Sequence, residues 1–147
     1  MTSLDYFRKV ASHEVGVDYH VEAIKVNVIA IVSYTLNWIY TEYYKWAGYD
    51  FDITCISEDQ VFIPNQSMQS NIIDVVDEIL GQYIGTLGLN SPILSQYGKT
   101  PVRDTLYQLK ANELARSEKN NMEILRHFYN RKYKLLELRT ATPIGGI

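Results

Sequence analysis

Apolar residues recur at three-and-four spacing over most of this chain, and the places where that rhythm stops divide it into segments. Leu4, Phe7 and Val10, behind Thr2 or Ser3 as caps, predict a short first helix from about Ser3 to Ser12, ended or bent at Gly16. Asp18 then caps a longer segment in which Val21, Ile24, Val28, Ile31, Val32, Leu36, Ile39, Tyr43 and Trp46 keep helical spacing until Gly48 stops it. Residues 18–47 therefore read as a buried central helix. Ile24, Val26, Val28, Ala30 and Val32 also alternate as a strand would, but the length and the continuing pattern beyond Thr35 favour helix.

The character changes over residues 49–69, where two short β-prone runs, Phe51 to Ile56 and Val61 to Ile63, flank Ser57-Glu58-Asp59-Gln60. This stretch reads as a small β-hairpin or an ordered loop arm that must lean on the helices or on a neighbour. From about Ser70 to Leu87, Ile72, Ile73, Val76, Ile79, Leu80, Tyr83 and Leu87 face one side and Asp74, Asp77 and Glu78 the other, which predicts an amphipathic helix weakened near its end by Gly81, Gly85 and Gly88. Asn90-Ser91-Pro92 and Gly98-Lys99-Thr100-Pro101 bracket a loop.

Behind Thr100 as N-cap and Pro101, the positions Val102, Leu106, Leu109, Leu114, Met122, Leu125, Phe128, Tyr129, Leu135 and Leu138 predict a C-terminal helix of about 39 residues, about 58 Å long at 1.5 Å per residue. The polar patch Arg116 to Asn121 is where it would break. Thr140-Ala141-Thr142-Pro143-Ile144-Gly145-Gly146-Ile147 cannot continue a helix and reads as an extended tail. The expected fold is mainly α. It is a helical bundle in one domain, residues 1–139, with a long C-terminal helix and a hairpin or loop insertion near 49–69, followed by the tail at 140–147.

A chain of 147 residues carries one core, and 46% hydrophobic with 21% charged residues describes a chain that folds. Twelve tyrosines form a Tyr-rich core or half-wet contact surfaces. Cys55 is the only cysteine, which excludes an intrachain disulfide, and Met1-Thr2-Ser3-Leu4-Asp5 lacks the features of a signal peptide, so an intracellular site of synthesis is expected. Val26 to Thr41 is uncharged but shorter than the roughly 20 apolar residues of a bilayer span and contains Asn27, Ser33, Thr35 and Asn37; no membrane association is expected. Charge is uneven along the chain. Residues 1–98 hold four Lys/Arg against twelve Asp/Glu, a balance of minus eight, and residues 99–147 hold ten against five, a balance of plus five. Such asymmetry fits a nucleic-acid or acidic partner for the basic end, copies packing head to tail with opposite signs in contact, or solvated faces.

No constellation in the chain specifies catalysis. His13-Glu14 and His20-x-Glu22 have metal-ligand chemistry, but there is no HExxH and the histidines stand seven positions apart, so surface or capping roles are favoured; His127 stands alone. Cys55 lies in no nucleophile signature and reads as a small buried hydrophobe. Asp74, Asp77 and Glu78 read as a wet helix face, and Gly81, Gly85 and Gly88 follow a helix where a phosphate loop would open one. No cofactor, no metal and no enzymatic activity are expected. Arg126, Arg131, Lys132, Lys134 and Arg139, interleaved with Phe128, Tyr129 and Tyr133, are the basis of an alternative, a small DNA-binding or regulatory protein. The acidic pI of about 5.6 and the lack of a known DNA-reading motif weigh against it.

The layout of residues 18–48 and 70–147, a helical body, a long basic helix and an apolar tail ending Pro143-Ile144-Gly145-Gly146-Ile147, resembles the head-to-tail connector or adaptor proteins of tailed bacteriophages. That resemblance implies a homo-oligomeric ring between portal and tail proteins in the virion neck, assembled in the host cytoplasm, with DNA passing through without sequence-specific binding. It also implies Pro143, Ile144 and Ile147 as tail anchors, with Arg131, Lys132 and Arg139 positioning the basic segment against an acidic neighbour.

Overall fold

The most continuous apolar run in the chain becomes the axis of the molecule. In the computed structural model, which describes residues 3–16, 18–40, 66–88 and 92–140, helix α2 (Val21–Tyr40) is buried on every side from Val26 to Leu36. A helix that is apolar all round has no wet face and must lie at the centre of its fold. Each of Ile24, Val26, Val28, Ile29, Ile31, Val32 and Leu36 contributes roughly 1.5–3 kcal/mol of gross burial. The strand alternative for this segment is thereby excluded. The start is set by His20 rather than Asp18: the His20 carbonyl accepts from the Ile24 amide at 3.0 Å, and its Nδ1 from the Glu22 amide at 3.1 Å.

Around this axis run α1 (Ser3–Glu14), α3 (Ser70–Ile79), α4 (Gln108–Arg116) and α5 (Asn121–Tyr129), each packed against α2. Four short strands complete the described chain. β1 (Gln82–Thr86) pairs antiparallel with β4 (Leu136–Thr140), and β2 (Tyr97–Gly98) pairs in parallel with β3 (Leu106–Tyr107). The protein is mainly helical with a small two-stranded antiparallel sheet. Of the expected central helix, residues 41–47 lie outside the described residues. So does the expected arm except Gln66–Gln69, which belong to no regular element, and so does the tail from 141 onward.

Two expectations are corrected. The amphipathic helix starting at Ser70 ends at Ile79, not near Leu87, because Gly81 takes a positive φ of 98° and turns the chain into β1. Ile84 then points into the core while Tyr83 stays half-buried. The long helix over residues 101–139 does not form. Leu106 is drawn into the core as part of β3, its amide donating to the Gln96 carbonyl at 2.9 Å, so helix begins only at Gln108. It stops before Glu118, whose φ is 67°, and restarts behind a capping box in which Asn120 and Glu123 satisfy each other's amides at 2.9 and 3.1 Å. A turn with Leu135 at φ 52° then leads into β4. Val102, Leu109 and Leu135, assigned to the apolar stripe of the long helix, are accordingly exposed.

Polar residues on the buried helix hold the sheet and the following loop in place. Ser33 Oγ donates to the Ile29 carbonyl at 2.7 Å and accepts from the Ile84 amide of β1 at 2.7 Å. Asn37 donates to the Pro92 carbonyl at 2.9 Å, and the buried Ser95 hydroxyl donates to the Ala30 carbonyl at 2.7 Å. Each of these bonds satisfies a group whose burial would otherwise cost about 1–3 kcal/mol.

Candidate interaction surface

Charge is distributed over the structure in two regions that treat it differently. On the first, α3 presents Asp74, Asp77 and Glu78 to solvent, while Ile72, Val75, Val76 and Ile79 of the same helix are buried. Arg8 of α1 grips Asp77 with both forks, Nε to Oδ1 at 2.9 Å and Nη2 to Oδ2 at 2.7 Å, and lies 3.9 Å from Asp5. The Arg8 hydrogen bond holds the Asp77 carboxyl below the usual carboxylate range, and the same bond raises the guanidinium. Lys25 of α2 sits 3.5 Å from Glu78 and 3.7 Å from Glu22. Arg8 and Lys25 are therefore committed to fastening α3 onto α1 and α2, and the region keeps a surplus of carboxylates.

The second region runs from the last turn of α5 through the following turn. Arg126, His127, Arg131, Lys132 and Lys134 are exposed. Among the described residues no carboxylate pairs with Arg126, Arg131, Lys132 or Lys134. The segment is held from beneath. Tyr129 is fully buried and its hydroxyl donates to the Gln96 carbonyl at 2.6 Å, with burial pushing the phenol far above its ordinary value. Thr86 Oγ1 donates to the Lys134 carbonyl. These two anchors fix both ends of a turn whose side chains project cations at the end of a helix, where the helix dipole favours them.

Arg131 and Lys132 thus share the segment 126–134 with Arg126 and Lys134, whereas Arg139 has a different task. The Arg139 side chain lies over Gly85 of β1, bonds Glu137 Oε1 at 2.6 Å and reaches the Thr86 carbonyl at 3.0 Å. A Cβ on Gly85 would come within 2.5 Å of the guanidinium carbon, so the glycine is what lets the arginine cross the strand. Pro143, Ile144 and Ile147 lie outside the described residues. The aromatic residues interleaved with the cations turn inward: Tyr129 is buried, and Phe128 and Tyr133 pack against the core.

The candidate catalytic and metal residues do not converge. His13 Nδ1 meets Gln66 Oε1 at 3.2 Å, while the His20 amide donates to Asn112 Oδ1 at 2.8 Å, and no group of metal-ligating side chains occurs among the described residues. Glu14 is raised above its ordinary value, chiefly by burial, against the opposing pull of His13 and Lys99. No described helix is long and apolar enough to cross a membrane. No family model, curated protein or solved structure matches the chain. The residues that sequence reasoning missed are Tyr129 and Gly85 as supports of the charged surface, and Asn120, whose Asn-x-x-Glu spacing to Glu123 is a legible capping signal.

Proposed function

We propose that this chain is a structural assembly subunit, without catalytic activity, that joins neighbouring subunits through surfaces of opposite charge. The observation that carries this reading is the set of four exposed cations, Arg126, Arg131, Lys132 and Lys134, without described carboxylate partners, in a molecule whose other charged region sets Arg8 and Lys25 against four carboxylates, Asp5, Asp77, Glu22 and Glu78, and adds Asp74 of α3. Fixed charge of one sign on an anchored turn favours a partner of the other sign, and a second copy of the chain supplies it. The setting proposed is the neck of a tailed bacteriophage, as a head-to-tail connector forming a homo-oligomeric ring between portal and tail proteins. There the segment with Pro143, Ile144 and Ile147 docks on the portal-like partner, and DNA passes through the channel. That setting rests on the sequence layout. Its central helix is present, its long C-terminal helix is replaced by two shorter helices and a strand, and its tail lies outside the described residues.

The double variant Arg131→Glu/Lys132→Glu tests the charge contact. It is expected to lower the mass of the assembled species and to reduce its sensitivity to salt, with the helical content unchanged; an unaltered mass would remove the basic turn from the assembly. Deleting residues 141–147 is expected to leave the fold intact and abolish docking on a portal-like partner, and undiminished docking would remove the tail from the mechanism.

DNA binding is the second reading, favoured by the same exposed cations. With Tyr129 buried and Phe128 and Tyr133 packed on the core, this surface offers phosphates a set of charges but offers bases few rings to stack on. A charge-reversed variant that keeps its mass but loses duplex DNA would favour this alternative.

A further inference from the structure

The small sheet has one edge that is satisfied and one that is open among the described residues. On the satisfied side, the Ile84 amide donates to Ser33 Oγ, and the Ile84 carbonyl accepts from the Ile93 amide at 3.0 Å. Ile84 thus turns its backbone polar groups away from β4. Polar groups alternate along an antiparallel strand, so Tyr83 and Gly85 are the residues bonded to their partners Arg139 and Glu137. It follows that Leu136, Leu138 and Thr140 direct their N–H and C=O groups to the outer edge of β4, where no described strand receives them. A row of unpaired donors and acceptors is a template for another strand.

The side chains indicate which strand fits. Glu137 and Arg139 share the outer face of β4, while Leu136 and Leu138 turn to the core side. An antiparallel pairing of β4 with an identical β4, centred on Leu138, sets Leu138 against Leu138, Leu136 against Thr140 and Glu137 against Arg139. All three outward residues then fall in bonded pairs, and opposite charges face each other twice. Moving the centre by one residue opposes Glu137 to Glu137, or Arg139 to Arg139. Registers centred between residues would set an outward residue against an inward one. Of these registers the Leu138-centred one satisfies both the backbone and the charges, and it pairs all five residues of β4.

We propose that β4 pairs with β4 of a second copy of this chain about a two-fold axis, joining the two sheets into one of four strands in the order β1-β4-β4-β1. This contact is made of backbone hydrogen bonds and is isologous, so it stands apart from the contact between unlike charged surfaces proposed above.

The test uses the full chain in about 1 M salt, where the screening length is about 3 Å and surface charge contacts are suppressed. Mass by sedimentation and amide hydrogen exchange are followed over a range of protein concentration. A two-copy species is expected, with the amides of Leu136, Leu138 and Thr140 at least ten-fold better protected at high concentration than at low. The variant Thr140→Pro removes one outward amide and none that bonds β1; it is expected to keep its helical circular dichroism and become a single copy. Three results would overturn the proposal: a single copy at every concentration, a two-copy species whose three amides exchange freely, or protection that does not depend on concentration, which would mean that the edge is covered within the chain. The exchange measurement decides even if the proline variant fails to fold.

Discussion

The acidic helix and the basic turn lie in the same small protein, yet they spend their charge in different ways. Around α3 the cations Arg8 and Lys25 are drawn into pairs that tie three helices together, with Asp77 gripped at two points. Between Arg126 and Lys134 the cations are carried on a turn that is anchored by a buried phenol and a threonine hydroxyl, and no described carboxylate engages the four of them. In the first region charge takes part in holding the fold together. In the second the fold is held by other means and charge is left for the outside. Exposed ion pairs contribute little to stability, about 0–1 kcal/mol, so neither region owes its fold chiefly to charge.

This contrast can be broken most forcefully from beneath the basic turn. Tyr129→Ala removes a fully buried ring and is expected to cost about 3–5 kcal/mol in urea unfolding, and Tyr129→Phe, which takes one donor from the Gln96 carbonyl and leaves it the Leu106 amide, about 0.5–1.5 kcal/mol. Arg131→Ala, by comparison, should stay within about 0.5 kcal/mol, because its side chain is exposed. Equal losses at the two sites would mean that the turn's charges hold the fold after all.

Gly85→Ala is expected to change stability by no more than about 1 kcal/mol, since the new Cβ meets only the flexible end of Arg139, which swings aside with loss of its bond to the Thr86 carbonyl, and the change should disappear in an Arg139→Ala background. Additive effects would show that the glycine matters for another reason. Asn120→Ala should cost about 1 kcal/mol by opening the capping box that starts α5, read out by the same unfolding curves.

The smallest effects concern pH and sharpen the acidic side of the comparison. Asp77 is held below its unfolded value by Arg8, so its stabilising contribution is present above the unfolded carboxyl value of about 3.9 and is lost as pH falls through the depressed folded value. Asp77→Asn should therefore lower stability at neutral pH and flatten the acid limb of the stability profile. Glu14 has the opposite sign. Its folded value is raised by burial, so the folded state holds its proton more tightly, and stability falls as pH rises from the unfolded value through the folded one. Glu14→Gln should raise the melting temperature slightly at neutral pH and leave it nearly unchanged in acid.

Sequence reasoning located the first helix, the buried central helix and the start of α3, because in each the apolar spacing is sustained over several turns. It failed after Leu80 and after Pro101, where a short strand of alternating residues can be absorbed into a helical stripe. Leu136-Glu137-Leu138-Arg139-Thr140 alternates with a period of two, yet Leu135 and Leu138 also stand three apart. What separates the two readings is a distant event, the pairing of this strand with Gln82–Thr86, to which local periodicity is blind. The exposed cluster of Arg131 and Lys132 was legible from charge alone. The use of Arg139 as a clasp over Gly85 was not, because it depends on that same pairing.

The most direct test of the assembly account is the mass of the purified chain by light scattering at low and at high salt, beside Arg131→Glu/Lys132→Glu. The account predicts a multi-copy species at low salt that shrinks as salt rises, and a double variant that is already smaller at low salt. A mass that is the same at both salt concentrations and in both proteins would contradict it.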